Sequence, residues 1–194
     1  MYPILACSVF AVMIIIERFI YIAKVKKEAD NIFTRTMENI QTNNIDRALQ
    51  ICEEYGDSIA GKIIRAGIIY REKSAEGIRN AIDEAGSREL PRIERFLPSL
   101  GTIIAIAPML GLLGTVAGMI QSSNVLAKMG TSNSAELLLG ISSALLTTAF
   151  GLIVAIPALI FYNYLVHKSQ NTILEISKKS DEIAEILLQK KNGK

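Results

Sequence analysis

Two stretches of this chain, Phe96 to Ala127 and Leu137 to Val166, contain no Asp, Glu, Lys, Arg or His. Only a short polar piece around Lys128 and Glu136 separates them. Each exceeds the roughly 18–20 apolar residues that cross a hydrocarbon core as a helix. A backbone in lipid has no water to bond, so a lone run of this kind folds as a helix that satisfies itself. A third apolar stretch, Tyr2 to about Ala23, ends near Glu17 and Arg18. A cleaved signal peptide is the alternative for it. No basic residue precedes the apolar run, and Leu5-Ala6-Cys7 leaves too short a leader for lipoprotein processing, so a retained span is expected. The expectation is an all-α integral membrane protein with three transmembrane helices and the lipid bilayer as its solvent.

Charge placement sets an orientation. Thirteen of the 21 Lys and Arg lie between Lys24 and Arg95, and six follow His167. Lys24, Lys26 and Lys27 sit just past the first span; Arg88, Arg92 and Arg95 sit just before the second. Positive charge stays on the cytoplasmic side, so the N-terminus reads as outside and the C-terminus as inside. The expected segments are a first span at 1–23, a cytoplasmic helical segment at 24–95 and a second span at 96–127. A periplasmic loop at 128–136, a third span at 137–166 and a cytoplasmic tail helix at 167–194 complete the chain. Cys7 and Cys52 fall on opposite sides of this arrangement and cannot pair within one chain. One His and two scattered Cys build no metal site, and no cofactor is expected. The basic residues follow the membrane rule, and no nucleic-acid partner is expected.

The charged segment shows helix punctuation. Asn44 or Asp46 opens a helix that runs to Tyr55 and stops at Gly56. Asp57 or Ser58 opens another, with Ile59, Ile63, Ala66 and Tyr70 on one face. Ser74 opens a third through Ile78, Ile82 and Ala85. Pro91 suits the first turn of a following helix that carries Ile93, Phe96 and Leu97 into the second span. The tail places Ile173, Ile176, Ser180, Ile183 and Leu187 at spacings of three and four. That pattern fits a coiled-coil seam or a helix lying on the chain's own charged segment.

Inside the spans, small and hydroxyl residues recur at helical spacing. Pro108, Gly111, Thr115, Gly118 and Ser122, with Gly114 beside them, line one face of the second. Gly140, Ala144, Thr147 or Thr148, Gly151, Ala155 and Ala158 line one face of the third. Lipid tails supply no hydrophobic force between helices, so small residues that allow close approach are what hold spans together. Packing alone accounts for the glycines and alanines. The hydroxyls of Thr115, Thr147, Thr148 and Ser143 have two readings: each bonds a carbonyl one turn back, or together they line a narrow polar path. Pro108 and Pro157 read as kinks that free nearby carbonyls.

Pro108-Met109-Leu110-Gly111-Leu112-Leu113-Gly114-Thr115-Val116-Ala117-Gly118-Met119-Ile120 resembles the second-span signature of the ExbB/TolQ/MotA proton-channel proteins. Gly140 to Leu152, with Ala155-Ile156-Pro157-Ala158 and Asn163, resembles the third-span signature, and Glu17-Arg18 closing the first span fits as well. The resemblance covers nearly the whole chain and is nearest to the ExbB-like biopolymer transport proteins. It implies a homopentameric channel in the bacterial inner membrane that encloses the single spans of ExbD/TolR-like partners. Each partner brings a titrating Asp, and a TonB-like or TolA-like energy transducer acts further along. Thr115 and Thr148 would then face the pore. Ser143 stands where ExbB and TolQ usually have Glu.

No acid lies in the second or third span, whereas ion transfer across hydrocarbon needs a group that takes up and releases protons. In a proton channel the carboxylate must therefore come from a partner. A passive scaffold packed through its seams is the second reading. An enzyme is not expected. Ser143 and His167 are 24 residues apart, about 36 Å along a helix, too far for a base to activate a nucleophile.

Overall fold

The computed structural model describes residues 2–70, 74–129 and 134–192. Among them there is no strand, and the order is α1 (Tyr2–Gln41), α2 (Ile45–Glu54), α3 (Ile59–Ile69), α4 (Ala75–Ile93), α5 (Leu97–Met129) and α6 (Ser134–Asn192). Three helices, α1, α5 and α6, contain windows long and apolar enough to cross a membrane. Of the link expected at 128–136, Lys128 and Met129 belong to α5 and Ser134, Ala135 and Glu136 to α6, while 130–133 lie outside the described residues. The chain divides into two compact units, Met1–Glu17 with Phe96–Leu165 and Arg18–Arg95 with Val166–Lys194. The first is the membrane unit; the second holds most of the charge.

In the charged unit the cap chemistry works as its residues dictate. Asn43 takes a positive φ of 65°, which Asn tolerates, and turns α1 into α2. The Asn44 side chain accepts from Arg47 N–H at 3.2 Å, and Ser74 Oγ accepts from Gly77 N–H at 3.2 Å. Ser58 is the N-cap of α3 without a side-chain bond. The face of α3 is rotated from expectation. Ile59, Ile63, Ile64 and Ile68 are buried, Ala66 is half-buried and Tyr70 exposed. A helix reading Ile-Ala-Gly-Lys-Ile-Ile-Arg-Ala-Gly-Ile-Ile is apolar on too many sides for spacing alone to choose a face.

Pro91 is a second correction. It lies in the last turns of α4, which ends at Ile93, and α5 begins separately at Leu97. The proline at a helix start is Pro98, in the first turn of α5, where a missing N–H costs nothing. Buried Arg18 closes the end of α4: its guanidinium donates to the carbonyl of Ile93 at 2.8 Å and of Arg92 at 3.4 Å. A cation on the exposed carbonyls of a helix C-terminus is favourable.

The tail seam is satisfied within the chain. Ile173, Ile176, Ser180, Ile183 and Leu187 are all buried. Ser180 Oγ donates to the Ile63 carbonyl at 3.1 Å, and Gly67 and Gly86 lie against Ser180, Ile173 and Ser177. Ion pairs from Lys26 to Glu175, Lys179 to Asp30 and Arg79 to Glu185 flank it. Cys52 is fully buried, and burial pushes its thiol up to about 11, so it stays protonated and packs as a small apolar group.

Candidate functional site

In the membrane unit α5 and α6 meet along their smallest residues. A Cβ on Gly111 would stand 2.9 Å from the carbonyl oxygen of Thr147 and 2.9 Å from Cα of Thr148. One on Gly151 would stand 2.6 Å from the Ala107 carbonyl, and one on Gly118 2.7 Å from Ala144 Cβ. Gly140 faces Ser122, and Gly114 faces the Thr147 hydroxyl. Backbone touches backbone here, and any side chain would hold the helices apart. Ala144, Ala155 and Ala158 are buried on the same side of α6. Further along, Ala11, Leu100 and Ala158 form a small cluster with Ile103, Ile104 and Tyr162 against it. Pro108 and Pro157 lie inside continuous helices. Lacking an N–H, they leave the carbonyls of Ile104 and Ile153 without their usual helical donor.

The three threonines differ. Thr115 is buried and donates to the Leu112 carbonyl at 2.7 Å. Thr147 donates to the Ala144 carbonyl at 2.7 Å and lies 3.2 Å from the Gly111 carbonyl, so its hydroxyl bridges the two helices. Thr148 Oγ1 is buried and makes no hydrogen bond. A hydroxyl in that condition costs free energy until something bonds it. Sequence periodicity offered Thr147 and Thr148 as equals; only their neighbours tell them apart.

Ser143 is exposed at the rim of a cleft of about 430 Å³ whose polar lining comes from Gln121, Ser122, Ser143 and Thr147. Gln121 was missed in the sequence, although it lies seven residues past Gly114 and three past Gly118, on the seam's edge. Among the described residues no cluster of His, Cys, Asp or Glu could hold a metal ion. The only Asp, Glu, Lys, Arg or His between Leu97 and Met129 is Lys128, and there is none between Leu138 and Leu165.

These features define a class: a multi-span helical membrane protein whose interhelical seam combines glycine contact with intramembrane hydroxyls and carries no acid of its own. The comparisons place it. The profile of the MotA/TolQ/ExbB proton channel family matches residues 55–178. The chain is 35% identical over 169 residues to biopolymer transport protein ExbB-like 1 of Synechocystis sp., covering 86% of this chain and 66% of that one. It is 31% identical over 201 residues to the Tol-Pal system protein TolQ of Pseudomonas aeruginosa, covering 98% and 87%. Biopolymer transport protein ExbB of Aquifex aeolicus is 42% identical over 76 residues, 39% of this chain and 51% of that one. The chain belongs to the MotA/TolQ/ExbB family, and it is a multi-pass protein of the inner (cytoplasmic) membrane.

Proposed function

We propose that this chain is the channel subunit of an ExbB/TolQ-like inner-membrane motor driven by the proton motive force. It assembles as a homopentamer, N-terminus outside, around an ExbD/TolR-like single-span partner that supplies the titrating Asp. Through a TonB-like or TolA-like transducer it energises envelope transport or related work. The observation that carries this reading is the unbonded Thr148 hydroxyl in the apolar run of the third span, which like that of the second contains no acid. A carboxylate brought beside it gains a donor when ionised and an acceptor when protonated, so the hydroxyl helps the proton on and off. Once neutral, the partner's Asp moves through apolar surroundings at far lower cost. Thr115 and Ser143 extend the polar surface, while Thr147, with Gly111 and Gly114, holds the two helices together.

The complex purified from membranes and reconstituted into liposomes, with an internal pH-sensitive dye, tests this. Thr148→Val keeps the shape and removes the hydroxyl; proton flux is expected to fall about tenfold, the scale of one lost hydrogen bond. Wild-type flux in that variant ends the assignment. A passive scaffold is the second reading, favoured by the backbone bonds that occupy the hydroxyls of Thr115 and Thr147. It expects no co-purifying single-span protein and no response of the complex to a protonophore.

A further inference from the structure

Most basic side chains of the charged unit are held by a partner. Lys26 bonds Glu175 at 2.9 Å, Lys62 bonds Glu89 at 2.8 Å and Arg88 bonds Glu84 at 2.6 Å. Arg47 pairs with Glu54, Arg65 with Glu53, Arg79 with Glu185 and Lys179 with Asp30. Lys24 and Lys27 differ: both are exposed, and neither takes an ion pair, side-chain hydrogen bond or ring contact. Lys168 and Lys178 on α6 are also unpaired. What sets the α1 pair apart is its place on the helix. The buried face of α1 here is Ile22, Val25, Ala29 and Ile32. The opposite face carries Phe19, 50% exposed, and Ile20, 65% exposed, then Ala23, Lys24 and Lys27. Lys24 and Lys27 follow Ile20 at helical spacing, about 6 Å and about 10 Å further along the axis. Water does not leave Phe19 and Ile20 so exposed without cost; lipid does. Two uncompensated ammonium groups then fall at the depth where acyl chains give way to phosphates.

The geometry points to a binding face for anionic phospholipid headgroups on α1, made by Lys24 and Lys27 beneath Phe19 and Ile20. The acyl chains lie against the two apolar side chains, and the phosphate takes the place that a carboxylate takes on Lys26. Long lysine stems suit this, because they reach along apolar surface while the charge stays in the polar layer. The inference needs only that the chain spans a membrane, so it stands or falls separately from the motor reading.

The test uses the full chain in neutral detergent, titrated with fluorescent phosphatidylglycerol and with phosphatidylcholine of the same acyl chains. Wild type is expected to prefer phosphatidylglycerol. Each lysine near an anionic headgroup is worth about fivefold, so K24Q/K27Q is expected to weaken that lipid about 25-fold and leave phosphatidylcholine unchanged. K24R/K27R is expected to retain binding, which separates lost charge from lost fold. R47Q/R79Q removes the same charge from ion-paired positions and is expected to bind like wild type. Unchanged phosphatidylglycerol affinity in K24Q/K27Q overturns the proposal. So does an equal loss in R47Q/R79Q, or full displacement of the lipid by millimolar inorganic phosphate, which would mark a plain anion site.

Discussion

The two units of this chain are built inside out with respect to each other. In the charged unit the fully buried large side chains are isoleucines: Ile22, Ile32, Ile40, Ile51, Ile63, Ile64, Ile68, Ile78, Ile82 and Ile93. In the membrane unit Leu97, Leu100 and Leu165 are buried too. Between Ala107 and Ala155, however, the buried residues described are small or hydroxylated: Ala107, Gly111, Thr115, Ser122, Ala144, Gly151 and Ala155. Leu112, Leu113, Met109, Leu145 and Ile153 face outward there. A single helix shows both rules. The early part of α1 exposes Val9, Phe10, Met13 and Ile16; its later part buries Ile22, Val25, Ile32 and Ile40. Water pays for burying a methylene, and lipid does not, so each stretch hides what its own solvent makes worth hiding. Burial is therefore a statement about the surroundings as much as about the residue.

The comparison breaks most readily at the core isoleucines. Ile82→Ala in the charged unit is expected to cost about 2–5 kcal/mol, because a fully buried side chain leaves a cavity. Leu112→Ala in the membrane unit, where the side chain is 60% exposed, is expected to stay within about 0.5 kcal/mol. Denaturation midpoints of the two variants in one detergent would show it. Comparable losses would mean that both units share one packing rule.

Glycine enlargement sharpens the contrast from the other side. Gly111→Ala forces a Cβ onto the backbone of α6 at 2.9 Å and is expected to cost about 1–3 kcal/mol in the membrane unit. Gly101→Ala is the counterpart on the same helix. Its added Cβ meets nothing nearer than the Tyr162 ring at 3.7 Å, so it is expected to be neutral or slightly stabilising. Equal behaviour of the two would show that the seam has slack.

The smallest effect is one of pH and belongs to the charged unit. Burial raises the carboxyl of Asp181; Asp83 and Glu185 push the same way, and Arg79 opposes them. One of its oxygens is buried without a hydrogen bond. A carboxyl raised in the folded state favours folding while protonated. Its contribution is complete below the ordinary aspartate pKa and is lost as pH rises through the higher folded value. Melts from mildly acidic to neutral pH should show this part of the unit's stability declining, and Asp181→Asn should remove that slope. A slope that survives in Asp181→Asn would assign it to another group, of which Glu94, also raised by burial, is the first to examine.

The seam of the membrane unit was legible because a period is enough when one side of a helix is glycine and the other leucine. The inward placement of Gly111, Thr115 and Ser122, and of Ala144, Gly151 and Ala155, follows from spacing alone. Caps at Asn44 and Ser74 were legible too, since each uses a bond within three residues. Helix α3 was not, because an almost uniformly apolar segment has no preferred side until α2 and α4 cover it. Pro91 misled for a related reason: a proline is compatible with a helix start, yet Arg18, more than 70 residues away in sequence, closes the helix just after it.

Local chemistry alone therefore determined that the chain is helical, that it enters a membrane, and which faces of its spans are small, because period and composition carry those facts. The tertiary structure alone decided where each hydroxyl spends its hydrogen bond and which cations find a carboxylate. A hydrogen bond and an ion pair are settled at about 3 Å, and no spacing along the chain says which distant residue comes within it. Thr147 and Thr148 are adjacent in sequence and alike in chemistry, yet one is bonded across to Gly111 and the other is left unbonded.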